Sequence, residues 1–251
     1  MSFLLLRPQG KCVKSALALN NANIATVACG LIDTQLDSQA IELLPAKIAA
    51  LNKALAAPIY VIVTSTVAAE QCIKLKNTWP EKIVFFAVGN SSADILRKAA
   101  FDVITPIEAR TEGLLALPQL NQVSDKKIII MKGYGGRELL VDTLKKRGAL
   151  VDEWEVYERV KIAKPESTQD WQQEQIRCII ATSGEVIQAA FEHFENTWLQ
   201  TRDWIVVSKR TAEIAEKMGV NHIHVSRDAS DKAIIQCAQL YLTRARHSTE
   251  L

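Results

Sequence analysis

Seven short apolar runs punctuate the chain: FLLL (3–6), IYVIV (59–63), KIVFFAV (82–88), IIIM (128–131), CIIA (178–181), WIVV (204–207) and HIHV (222–225). Each is followed by a stretch whose apolar positions recur with helical spacing. Continuous runs of this length suit strands buried on both faces of a parallel sheet. Alternation of such strands with helices predicts an α/β fold. Two further stretches, TVACGLIDTQL (26–36) and VDEWEVYERVKIA (151–163), read as extended and each follows the first helix of its half. After the glycine cluster at 133–136 a helix is expected, with Leu139, Leu140 and Leu144 on its buried face and Gly148 as its stop. PESTQDWQQEQ (165–175) predicts a short capped helix, and the tail 243–251 a frayed end.

The pattern repeats. IVTSTVAAE resembles IATSGEVIQ, with Thr182 lying 118 positions after Thr64. FFAVGNSSADILRKA resembles WIVVSKRTAEIAEKM, and DVITPIEARTEGLLAL resembles IHVSRDASDKAIIQCA. These align Ser92 with Thr211 and Thr111 with Ser230, each 119 positions apart. LLLRPQG near the start answers IIIMKGYGG near the middle. Near-constant offsets through several elements predict a duplication. The expected architecture is two similar three-layer α/β domains with parallel sheets. One domain comprises 1–32 plus 164–251 and the other 38–154. If the stretches 27–37 and 153–163 pair, they form a two-stranded ladder at which the chain crosses twice, leaving a cleft between two lobes.

Composition narrows the function. The chain has 251 residues, 48% hydrophobic and 23% charged, with a formal net charge of +2. Its cations are scattered among acids, which argues against nucleic acid as a partner. No apolar run reaches the roughly 18 residues of a membrane span, and MSFLLLRPQG lacks the flanks of a signal peptide. Five separated cysteines with no CxxC pair fit free thiols in a reducing compartment, hence a cytoplasmic protein. The four histidines show no metal-ligand spacing, so no metal is expected.

Candidate chemistry lies where the strands end. In open parallel sheets ligands bind beyond the carboxyl ends of strands. The loops there are Arg7-Pro8-Gln9-Gly10, Thr64-Ser65-Thr66, Gly89-Asn90-Ser91-Ser92, Lys132-Gly133-Tyr134-Gly135-Gly136-Arg137, Thr182-Ser183-Gly184 and Ser208-Lys209-Arg210-Thr211. They hold hydroxyls, glycines and cations, and almost no acid. Each hydroxyl has an ordinary role as a helix N-cap. Six such loops in two matching halves suit a ligand with several widely spread negative charges. The nucleotide patterns GxGxxG and GxxxxGK[ST] are absent, and neither Ser65 nor Ser183 sits in a nucleophile elbow. What remains is catalysis by positioning, with one proton donor. Tyr157 is the candidate donor; as an aromatic that packs the two lobes it would have a structural role instead.

GYGGRELLVDTLKKRGALVDEWEVYERV (133–160) resembles the uroporphyrinogen-III synthase family: a Gly-Gly-Arg-Glu cluster, a helix, a glycine and a closing Val-Tyr-x-Arg. Supporting matches are Arg7-Pro8, Thr64-Ser65, Val88-Gly89, Thr111-Glu112-Gly113-Leu114, Thr182-Ser183-Gly184 and Thr211-Ala212. Departures are Leu6 and Ser208-Lys209-Arg210. The resemblance covers nearly the whole length. It implies two α/β domains joined by a ladder, with the site in the cleft. It also implies an enzyme of tetrapyrrole (haem, sirohaem, cobalamin) biosynthesis that needs no cofactor. The implied substrate is hydroxymethylbilane, a linear tetrapyrrole with eight carboxylates. Loss of its hydroxyl as water gives an azafulvene, and attack at the substituted carbon of ring D gives a spiro intermediate. That intermediate recloses with ring D inverted. The residues implied for the site are Tyr157 as acid and, for substrate, Arg7, Thr64, Ser65, Gly89, Asn90, Ser92, Lys132, Gly133, Arg137, Thr182, Ser183, Lys209 and Thr211. A monomer is expected, with a transient contact to hydroxymethylbilane synthase as its partner interaction. Three other readings stay open: a non-catalytic sensor of an anionic metabolite, a nucleotide-dependent transferase, and a degenerate family member kept as an interaction module.

Overall fold

The computed structural model describes residues 2–51, 58–135 and 138–247. In chain order the elements are β1 (Ser2–Pro8), α1 (Gln9–Asn21), β2 (Thr26–Leu36), α2 (Ser38–Leu51), β3 (Ile59–Val63), α3 (Thr66–Lys74), β4 (Ile83–Ala87), α4 (Asn90–Lys98), β5 (Val103–Ile104) and α5 (Thr111–Leu115). A second series follows: β6 (Lys127–Gly133), α6 (Leu139–Lys146), β7 (Leu150–Lys161), β8 (Ile176–Ala181), α7 (Gly184–His193), α8 (Asn196–Gln200), β9 (Asp203–Val206), α9 (Lys209–Lys217), β10 (Ile223–Val225) and α10 (Asp231–His247).

The chain divides into two units. The first holds 1–34 and 160–251, the second 35–159. The chain therefore leaves the first unit within β2 and returns to it within β7. In the first unit the strands run β10-β9-β8-β1-β2; in the second, β5-β4-β3-β6-β7. All the registered pairs are parallel. Strands β1–β5 are one repeat and β6–β10 the other. Each unit thus combines the first two strands of one repeat with the last three of the other, in the same spatial order. That order is doubly wound, and it reverses between β1 and β8 in one unit and between β6 and β3 in the other.

The apolar runs are continuous because both faces of each sheet are covered. In the first unit Leu4, Leu6, Ile179 and Trp204 pack under α7 and α9, while Phe3, Leu5, Cys178 and Ile205 pack under α1 and α10. In the second unit Val61, Val63, Phe85 and Met131 meet α2, α3 and α4; Ile62, Phe86 and Ile130 meet α5 and α6. Each unit is a three-layer sandwich.

Three expectations need correction. Leu139 is 41% exposed; the buried face of α6 is Leu140, Val141 and Leu144. Leu139 is the first residue of α6 and lies off that face, and Gly148, at φ +82, ends the turn as expected. Residues 165–172 are not helical, and only Gln173–Gln175 forms a single 3₁₀ turn capped by Gln172. The segment has one large apolar residue, Trp171, and so no helical face to bury. Instead Thr168 donates its N–H to the Ala28 carbonyl, and its hydroxyl accepts from the Ala28 N–H, which satisfies part of the flank of β2. The third concerns the tail: 243–247 continue α10 where a frayed end was expected; β5, two residues long, is an addition that the apolar runs do not announce.

Candidate functional site

Apart from Tyr157, which lies inside β7, the predicted site residues that fall within the described residues lie at the carboxyl ends of the parallel strands or at the starts of the helices that follow. Arg137 falls outside the described residues. The structure groups the rest by unit: Arg7, Thr182, Ser183, Lys209 and Thr211 in the first, and Thr64, Ser65, Gly89, Asn90, Ser92, Lys132, Gly133 and Tyr157 in the second.

The two threonine–serine pairs are built alike. Ser65 accepts the Ala68 N–H at 3.1 Å and caps α3; Ser183 accepts the Val186 N–H at 3.3 Å and caps α7. Thr64 donates its hydroxyl to the Met131 carbonyl, and Thr182 donates to the Leu6 carbonyl. A serine hydroxyl that accepts a helix N–H keeps its own proton to donate. Ser65 and Ser183 can therefore cap a helix and hold a carboxylate at once. The threonines spend their donor inward.

The next loops differ. Ser208 caps α9 in a reciprocal box with Thr211, whose side chain is buried and committed to Ser208. Lys209 is exposed at the first position of that helix. In the second unit α4 starts after Gly89 with no side-chain cap, leaving its first N–H groups to other acceptors. Asn90 is exposed there and Ser92 is buried.

The cations are engaged inside their own units. Arg7 is 7% exposed. It meets the Asp231 carboxylate at 2.5 Å, donates to Ser15 Oγ at 2.7 Å and to the Ala229 carbonyl at 3.1 Å. It ties the end of β1 to the start of α10. Lys132 Nζ lies 2.7 Å from Glu153 and 3.7 Å from Glu155. Burial pulls its ammonium down, but the Glu153 carboxylate outweighs that effect and the net displacement is upward. Asp231, Glu153 and Glu155 were not singled out in the sequence. The two glutamates stand two apart on one strand face, a visible signal, but only the register shows that they meet Lys132.

Tyr157 sits at an irregularity in the β6–β7 pairing. Lys132 is opposite Glu155 and Gly133 is opposite Tyr157, so one step on β6 spans two on β7. Such a bulge re-aims a side chain. The phenol ring lies against Gly133 and is 6% exposed. Tyr134, unassigned from sequence, donates its N–H to the Tyr157 carbonyl at 2.8 Å and its hydroxyl to the Asp37 carboxylate at 2.5 Å. That carboxylate also caps α2 by accepting the Ala40 N–H. The Ala40 N–H and then Tyr134 hold Asp37 below the usual carboxylate range, and Asp37 in turn raises Tyr134.

Among the described residues no group of three or more His, Cys, Asp or Glu is placed to hold a metal, and no helix is long and apolar enough to cross a membrane. The chain matches the family model described as uroporphyrinogen-III synthase HemD over residues 21–236. The chain belongs to the uroporphyrinogen-III synthase family. It is 33% identical over 169 residues to the uroporphyrinogen-III synthase of Escherichia coli K12, covering 64% of this chain and 69% of that one. Against the Salmonella typhimurium LT2 enzyme it is 33% identical over 171 residues, with the same coverage. Among solved structures it resembles a mutant uroporphyrinogen III synthase of Thermus thermophilus, with TM-score 0.64, 15% identity, and coverage of 97% of this chain and 100% of that one. For the uroporphyrinogen-III synthetase of Helicobacter pylori 26695 the TM-score is 0.60 at 17% identity, covering 97% and 99%. At those identities the solved structures speak to the fold. The family model and the two bacterial relatives mark the chain as an enzyme of the uroporphyrinogen-III synthase type.

Proposed function

We propose that this chain cyclises hydroxymethylbilane to uroporphyrinogen III, with the strand-end loops of both units holding its carboxylates and Tyr157 assisting loss of its hydroxyl. The observation that carries the reading is the bulge that puts Tyr157 against Gly133, on a sheet whose neighbouring strand ends carry hydroxyl and N–H donors. Ser65 and Ser183 offer free hydroxyl protons, and the uncapped start of α4 offers N–H groups. These donors hold carboxylates without demanding a proton from them.

The linear tetrapyrrole closes by itself to the symmetric type I isomer, so the protein has to supply selectivity. Fixing a flexible chain in one near-attack geometry is worth roughly 7–11 kcal/mol. The Tyr157 phenol gives its proton to the departing hydroxyl, the C–O bond breaks and water leaves. The azafulvene carbon is attacked by the substituted carbon of ring D. The spiro intermediate fragments and recloses, and the proton lost from the newly bonded ring carbon restores the balance, leaving water as the only by-product. The protein works as a cytoplasmic monomer without a cofactor, and contacts hydroxymethylbilane synthase transiently to receive an unstable substrate. Its free cysteines, four of the five buried, fit a reducing compartment.

The test is to supply hydroxymethylbilane to the purified protein and separate the products as their oxidised porphyrins. The proposal expects predominantly type III. Type I alone would leave a binding protein for an anionic metabolite.

A further inference from the structure

Gly133 is the residue of β6 paired opposite Tyr157. A Cβ built on Gly133 would lie 2.5 Å from Cε2, 2.6 Å from Cζ and 3.1 Å from Cδ2 of the Tyr157 ring. Cζ carries the hydroxyl, so the contact is with the reactive end of the phenol. Carbon atoms settle at about 3.5–4.0 Å, so any side chain at 133 would push that end of the ring by about 1 Å.

The backbone around the ring is held as tightly. The bulge inserts Val156 ahead of Tyr157, and both carbonyls are occupied from outside β7. Asp37 donates its N–H to the Val156 carbonyl at 3.0 Å, and Tyr134 donates its N–H to the Tyr157 carbonyl at 2.8 Å. The two donors are joined by the Tyr134 hydroxyl on the Asp37 carboxylate. Val156, Tyr157, Tyr134 and Asp37 thus close a ring of hydrogen bonds around the bulge. All four belong to the second unit.

We propose that Gly133 is a positioning residue for Tyr157, and that the Tyr134–Asp37 bond secures the same bulge. This rests on the reading of Tyr157 as the proton donor. Gly133 acts through the ring it seats: its missing side chain sets where the phenol hydroxyl meets the leaving group. The Tyr134 phenol, tied to a carboxylate that accepts its proton, serves as an anchor for the loop.

The test is a set of variants made in two backgrounds, wild type and Tyr157→Phe, each assayed for kcat, KM and isomer ratio. Gly133→Ala in the wild-type background is expected to lower kcat by about 10²-fold, the scale of a 1 Å misplacement, with KM within about twofold. In the Tyr157→Phe background the same change is expected to cost less than about twofold, because residues acting as one unit are not additive. Tyr134→Phe is expected to cost about fivefold, the weight of one hydrogen bond, again only where Tyr157 is present. Tyr134 is half-exposed, so this variant folds and carries the decision if Gly133→Ala does not. Equal losses in both backgrounds, or a raised KM with kcat untouched, would overturn the positioning role and make Gly133 a substrate contact. A Tyr157→Phe enzyme with the wild-type rate would instead remove the proton donor itself, a separate failure visible before any double variant is read.

Discussion

Each unit carries a bulge at the same place. In the second, the step from Lys132 to Gly133 spans Glu155 to Tyr157; in the first, the step from Arg7 to Pro8 spans Gly30 to Ile32. The extra residue has its carbonyl bonded in both: Val156 by the Asp37 N–H, and Leu31 by the Ile162 N–H. The cation before the step is buried and paired in both, with Glu153 or with Asp231. What differs is the chemistry hung on the frame. Tyr157 is answered by Ile32, 4% exposed, Gly133 by Pro8 and Asp37 by Ile162. Duplication kept the backbone device and its buried ion pair in both copies. Only one copy has a glycine that admits a ring, a tyrosine to fill the space and a carboxylate to latch the loop. The bulge is therefore scaffold, and the residues placed on it are what set the two copies apart.

The comparison breaks most readily at Tyr157. Tyr157→Phe should slow turnover substantially, by up to about 10²–10⁴-fold, with little change in thermal midpoint. Its counterpart Ile32→Val should leave kcat within about twofold and cost only about 1 kcal/mol of stability, the weight of one buried methylene. Steady-state kinetics and denaturant midpoints on both variants check the pair. A comparable loss of rate from Ile32→Val would erase the distinction between the copies.

The buried cations come next. Arg7→Met leaves Asp231 without its guanidinium, and Lys132→Met leaves Glu153 and Glu155 facing each other. Both should destabilise by roughly 2–4 kcal/mol, below the cost of a fully buried pair because each carboxylate is partly exposed. Urea titration should show similar losses in the two.

Serine caps give a smaller, matched effect. Ser65→Ala and Ser183→Ala should each cost about 1 kcal/mol of stability. Each should also raise KM with kcat nearly unchanged if its hydroxyl holds a substrate carboxylate, as proposed. A fall in kcat at constant KM would place those hydroxyls at the reacting carbon instead.

The smallest effect is in alkali. Lys132 has its folded pKa raised above 10.5, so its contribution is fully present below that value and is lost as pH rises through the folded value. Wild-type stability should therefore fall above about pH 10.5 more steeply than that of Lys132→Met. Parallel curves would remove the ion pair from the account of β6.

Much of this was legible in the chain. IYVIV and TVACGLIDTQL coincide with β3 and β2, because strands covered on both faces, or bounded by turns, announce themselves by composition. The duplication was legible from its offsets, and Ser65 and Ser183 from their place after a strand. Features set by pairing were not. A bulge depends on register across two strands, and no local pattern at Lys132 or Tyr157 encodes it. The partners of Arg7 and Lys132 lie 224 and 21 residues away. The segment after Pro165 looked helical from its capping residues, but it has too little apolar surface to hold a helix against the unit.

Shape selection and proton donation are separable parts of the proposed mechanism, and the isomer ratio of Tyr157→Phe under single-turnover conditions tests both together. With enzyme in excess over hydroxymethylbilane, the expected result is slower conversion in which the enzyme-dependent product is still type III, because the loops proposed to hold the carboxylates are untouched. Type III formed at the wild-type rate, or a product that is type I alone, would contradict it.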